Sequence, residues 1–152
     1  MTNFTCRKAE PNDTDLILQF ITELAEFEKL VHEVKADAAT LHKSLFMDPH
    51  GPEVLIAEEN EKPIGFVLFF HNFSTFLGRK GIYIEDLYIR SEHRGKGYGE
   101  LLLSQIKELA KERNCGRVEW WVLDWNERAI NFYKKMGATP MSDWTVFRLT
   151  LS

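Results

Sequence analysis

Arg94-Gly95-Lys96-Gly97-Tyr98-Gly99 stands between an apolar strand and the strongest amphipathic helix of the chain. No other feature restricts the fold as much. Glycine at a helix start costs about 0.5–1 kcal/mol relative to alanine, so three of them within five residues require a purpose. In such a turn, successive backbone N–H groups point into one concavity. The helix behind it adds unpaired donors and the positive end of its dipole. That is an anion site suited to a pyrophosphate, with Arg94 or Lys96 as counter-charge; the plainer alternative is a glycine-rich connection. A P-loop would need GxxxxGK[ST], and no Gly-Lys here is followed by Ser or Thr. A Rossmann turn would need GxGxxG, whereas the third glycine comes one residue early.

The rest of the chain fits a layered α/β (α+β) domain around a mixed sheet. Phe4 to Lys8 alternates as a short strand. Leu16, Ile17, Phe20, Ile21, Leu24 and Phe27 recur at three- and four-residue steps and predict a helix, with a second one over about Ala36 to Phe46. Val54–Glu58 and Ile64–Phe70 read as a hairpin across the polar turn Glu59 to Pro63, and Ile82–Ile89 as a third strand. A helix follows over Gly97–Asn114, then a strand over Val118–Leu123 and a short helix over Glu127–Met136, capped by Asn126 and closed by Gly137. A final strand or hairpin is expected over Asp143–Leu151. No repeat or linker divides the 152 residues, so the expectation is one domain over residues 1–152.

Composition narrows the function. Nineteen Lys and Arg against 23 Asp and Glu leave a formal charge of −4, which argues against a nucleic-acid surface. No stretch approaches the roughly 18 apolar residues of a membrane span, and no secretory leader is visible, so a cytoplasmic protein is expected. Cys6 and Cys115 then read as reduced thiols. The five histidines show no ligand spacing, so no metal is implied.

Glu85 and Asp86 interrupt the apolar Ile82–Ile89 strand, and a bulge would explain the break. A carboxylate within an apolar strand has a raised pKa and makes a candidate base, so Glu85 is favoured over the alternative of an outward-facing strand residue. Tyr133 lies beside Ala129, Ile130 and Met136, and periodicity alone would make it a core residue.

The R-x-x-G-x-G spacing after an apolar strand resembles motif A of the GCN5-related N-acetyltransferases (GNAT). Ile82 to Ile89 with Arg94 to Gly99 looks like the strand and loop of the diamine acetyltransferases. Val122 to Ala138 resembles their N-x-x-A-x-x-x-Y-x-x-x-G-A signature, and Leu123-Asp124-Trp125-Asn126 with Ser74-Thr75 looks closest to the thialysine N-epsilon-acetyltransferase branch. The resemblance runs over essentially the whole chain. It implies a mixed, mostly antiparallel central sheet flanked by helices, with acetyl-CoA in the cleft between splayed central strands.

It also implies roles. Leu87, Tyr88 and Ile89, the turn Arg94, Gly95, Lys96, Gly97, Tyr98 and Gly99, and also Asn126 and Tyr133 would hold the co-substrate. Tyr133 would return a proton to the leaving sulfur, and Glu85 would act as a water-linked base. The oxyanion donor would be a backbone N–H near Leu87 to Ile89. Asp86, Glu28, Ser74 and Trp144 would face the amine, although Glu28 also reads as a solvated helix end and Trp144 as packing. Ser74 stands where polyamine-selective members carry an acidic residue, which favours a thialysine-like amino acid over spermidine. The implied assembly is a homodimer. Two other readings stay open: a protein or peptide N-acetyltransferase, and a non-catalytic acyl-CoA sensor.

Overall fold

The computed structural model describes residues 3–151. The chain divides at Trp121/Val122 into two compact units. In the first, Phe4–Lys8 (β1), Glu53–Glu59 (β2), Lys62–Ser74 (β3), Arg79–Ile89 (β4) and Val118–Trp120 (β5) form one sheet in the order β1-β2-β3-β4-β5. The first four pair antiparallel, and β5 lies parallel to β4. The helix Tyr98–Glu112 (α3) makes the crossover between β4 and β5 that a parallel pair requires. Thr14–Phe27 (α1) and Ala38–Phe46 (α2) come between β1 and β2, the latter opened by Asp37, whose side chain accepts the Thr40 N–H.

Strand alternation sorts the core into two layers. Phe66, Leu68 and Tyr88 join Ile56 and Val54 on one face, against Ile17 and Phe20 of α1. Phe20 stacks on Phe66 with ring centroids 5.5 Å apart. Val67, Phe69 and Ile82 alternate to the other face and are fully buried, as are Leu102 and Ile106 of α3. Burying a side chain of this size contributes about 1.5–3 kcal/mol. The β2–β3 turn is tighter than the expected Glu59–Pro63 stretch. Asn60 and Glu61 alone form it, both at positive φ (52° and 67°), as a two-residue type I′ hairpin needs. Pro63 already pairs with Glu58, beside a register shift that tolerates its missing N–H.

Gly65 of β3 pairs with Ile89 of β4 and leaves no room for a side chain. A Cβ there would stand 2.1 Å from the Tyr88 carbonyl oxygen and 2.9 Å from Ile89 Cδ1. Backbone cannot yield as a side-chain end can. Gly65→Ala is therefore expected to destabilise the fold by about 3 kcal/mol. Urea unfolding would register this as a lower midpoint with an unchanged slope.

In the second unit, Glu127–Lys135 (α4) is opened by Asn126, whose Oδ1 accepts the Ala129 N–H at 3.2 Å. Gly137 follows at φ 95°, the left-handed stop expected after a helix. The expected strand over Asp143–Leu151 is corrected: the described residues there form no strand. Phe147, Leu149 and Leu151 are 90%, 93% and 89% exposed. Alternating apolar residues express a preference for strand, but a strand exists only where another edge accepts its hydrogen bonds.

Candidate active site

The bulge expected at Glu85-Asp86 is present. Leu68 pairs with Asp86 and Phe69 with Ile84, which leaves Glu85 as the extra residue of β4. Immediately beyond it the sheet opens. β5 pairs with β4 only over Ile82–Ile84, so among the described residues the stretch from Glu85 to Ile89 has β3 on one side and no partner strand on the other. Backbone groups on that edge make no ladder hydrogen bonds, although the Ile89 carbonyl accepts from the Arg94 side chain.

The bulge separates the two carboxylates. Glu85 is exposed, so the desolvation expected for it falls on its neighbour. Asp86 shares its cross-strand position with Leu68, on the face that α1 covers. Burial there, reinforced by the charges of Glu85 and Glu28, pushes its carboxyl up to about 7. Glu28 belongs to the end of α1. Lys29 turns left-handed at φ 62°, and the Leu30 N–H returns to the Ala25 carbonyl, so the helix stops with Glu28 as its last cap. Burial raises the Glu28 carboxyl as well. Two desolvated carboxyls beside the negative end of a 14-residue helix form an environment that favours a cation.

The glycine turn has the form expected for it. Gly95 and Gly97 take φ of 80° and 81°, conformations that side chains rarely adopt. A Cβ added at Gly95, Gly97 or Gly99 would meet nothing within 4 Å, so it is backbone conformation and not crowding that favours glycine at Gly95 and Gly97. No side chain caps α3 at Gly97, and the first-turn amides of this 15-residue helix keep their donors for a ligand. These residues fit a diphosphate.

The two cations have more specific partners than sequence reasoning assigned. Arg94 Nε donates to the Ile89 carbonyl at 2.9 Å, and its guanidinium lies 4.9 Å from the Phe27 ring and 5.7 Å from that of Tyr88. Lys96 lies 3.1 Å from a Glu59 carboxylate oxygen. Tyr88 is buried and donates its hydroxyl to Glu23 at 2.8 Å. Arg90 holds the same carboxylate through two hydrogen bonds of 3.0 Å. Glu23 and Glu59 escaped the sequence reading because each is one acid among several close in sequence, with nothing local to single it out. Only tertiary pairing reveals them.

Ser74 is set apart from this group. It is buried at the far end of β3, where its Oγ accepts the Leu77 N–H at 3.1 Å. Six residues separate it from Leu68, roughly 20 Å along an extended strand. In the second unit, Tyr133 is half-buried on α4 between the Asn126 cap and Gly137, and Trp144 is 70% exposed. Among the described residues, no group of three or more His, Cys, Asp or Glu could hold a metal ion, and no helix is long and apolar enough to cross a membrane.

Comparison with known proteins agrees with this geometry. The acetyltransferase (GNAT) family matches residues 18–138. Thialysine N-epsilon-acetyltransferase of Bos taurus is 35% identical, with 93% of this chain and 89% of the relative covered. Its Caenorhabditis elegans counterpart is 36% identical over 98% and 93%. L-ornithine N5-acetyltransferase of Arabidopsis thaliana is 32% identical over 95% and 83%. Among solved structures, a possible acetyltransferase from Clostridium difficile shares the fold with a TM-score of 0.80 at 20% identity, covering 98% of both chains. With its glycine turn, opened β4 edge and matched signature, the chain belongs to the acetyltransferase (GNAT) family and is an N-acetyltransferase.

Proposed function

We propose that the chain transfers the acetyl group of acetyl-CoA directly to the primary amine of a small, cationic amino acid or diamine, with a thialysine-like or ornithine-like compound favoured. The observation that carries this reading is the pair Asp86 and Glu28. Their burial at the end of α1 suits an ammonium. Relatives named for thialysine and L-ornithine support the same class.

Acetyl-CoA supplies a thioester carbonyl and a thiolate leaving group. The glycine turn, from Arg94 to Gly99, would receive its diphosphate on backbone amides. Leu87, Tyr88 and Ile89 offer the unpaired β4 edge for the acyl carbonyl and pantetheine arm, and Asn126 would contact that arm. An alkylammonium has a pKa near ~10.4 and attacks only after losing a proton. Glu85, exposed on the bulge, takes that proton through water, while Asp86 and Glu28 hold the distal charge. The new C–N bond forms as the C–S bond breaks. Tyr133 gives its phenolic proton to the departing sulfur.

The whole chain works as one acetyltransferase domain in this reading, since the family match spans both units. It acts in the cytoplasm, where the free thiols Cys6 and Cys115 stay reduced. It is a homodimer, which would cover the exposed apolar residues of the C-terminal segment. Trp144 and Ser74 are candidates to border the amine site.

Product mass spectrometry tests the proposal. The chain is incubated with acetyl-CoA and, separately, thialysine, L-ornithine, spermidine or a lysine-containing peptide. Acetylated amino acid is the expected product. A peptide product would favour a protein N-acetyltransferase, and acetyl-CoA binding without any product would favour a sensor.

A further inference from the structure

Glu59, the last residue of β2, is a carboxylate only 9% exposed, and the reaction does not use it. It gathers three residues from the segment that carries the glycine turn. His93 Nδ1 lies 3.0 Å from Oε1, Lys96 Nζ lies 3.1 Å from Oε2, and the Tyr98 hydroxyl donates to Oε2. One of these residues precedes the turn, one lies within it, and one opens α3. The Tyr98 ring is held further by Phe4 of β1, stacked at 4.6 Å, with Lys96 5.8 Å from its centroid.

A carboxylate beside an anion site is adverse unless its charge is matched. Here the match is complete: the Tyr98 hydrogen bond first, then Lys96, hold the Glu59 carboxyl below the usual carboxylate range. The turn itself contains glycines that have many backbone conformations available, and its amides converge only when something outside the turn holds them.

We infer that Glu59 is a positioning residue, clamping the glycine turn and the first turn of α3 to the end of β2 so that the turn's amides converge on the diphosphate of coenzyme A. The inference rests on the acetyl-CoA reading above. It also assigns recognition to the amides, because the Lys96 ammonium is already matched by Glu59.

Thiol release at saturating amine tests it with two acyl donors, acetyl-CoA and S-acetylpantetheine, the second lacking the diphosphate. Glu59→Gln should raise KM for acetyl-CoA about tenfold, the loss expected for a charged hydrogen-bond acceptor. Its kcat should stay within about twofold, and KM for S-acetylpantetheine should not move. Tyr98→Phe, which removes one contact of the same clamp and leaves Glu59 in place, should raise KM for acetyl-CoA in the same direction. An unchanged or lower acetyl-CoA KM in both variants would overturn the inference. So would equal increases for the two donors, which would mean general loosening. If the unsubstituted protein uses both donors with equal KM, the diphosphate reading of the turn itself fails, and the role of Glu59 fails with it.

Discussion

Asp86→Asn is expected to make the protein more stable above pH 7 while removing most of its activity at low amine concentration. Burial and the charges of Glu85 and Glu28 raise the Asp86 carboxyl from its model-peptide value near ~3.9 to about 7. In the unfolded chain the group ionises near its ordinary value. Between the two, the unfolded state has released a proton that the folded state retains, so stability falls as pH rises through that window. Above pH 7 the whole penalty is present, on the order of 2–4 kcal/mol. Asparagine keeps the shape and removes the charge. Thermal unfolding of the variant should therefore match the parent near pH 4 and exceed it by about 5 °C at pH 8. The same change takes away the counter-charge of a desolvated ammonium, which should raise KM for the amine about a hundredfold. Equal midpoints for both proteins at pH 8 would mean that Asp86 is hydrated and not strained by its neighbours.

Tyr133→Phe should lower kcat by about 10²–10³-fold, the range for loss of a positioned general acid. The change removes one oxygen from a half-buried residue in the middle of α4, a helix opened by the Asn126 cap and followed by the left-handed Gly137. Acetyl-CoA affinity, measured by calorimetry, should stay within about threefold. The pH profile separates this role from a structural one. With no phenol to donate, the remaining rate should depend on solvent acid and rise as pH falls, provided the amine is saturating. Undiminished turnover would remove Tyr133 from the reaction.

The legible parts of the chain were those where local chemistry and tertiary structure ask for the same thing. The α1 stripe, the Asn126 cap and the Gly137 stop were readable because a few residues fix each of them within one or two turns. The glycine turn was readable because positive φ at Gly95 and Gly97 leaves few other residues possible. The bulge at Glu85 was readable as a broken alternation, but its consequence was not: which carboxylate is desolvated depends on the α1 face, more than fifty positions earlier in the chain. The same distance hid Glu59 and Glu23. Their charged partners lie 34 or more residues away, and no periodicity announces which acid of a run a distant cation will pair with. The Asp143–Leu151 strand failed for the complementary reason, since a strand requires an edge that sequence pattern does not supply.

The central claim is direct transfer from the thioester to the amine, and amine-dependent thiol release tests it most directly. Coenzyme A release from acetyl-CoA would be followed with and without thialysine, alongside intact-protein mass spectrometry. The account predicts release that requires the amine, saturates with it, and leaves the protein without a covalent acetyl group. Release at the same rate with the amine omitted, or acetyl found on Cys6 or Cys115 as a kinetically competent intermediate, would contradict it.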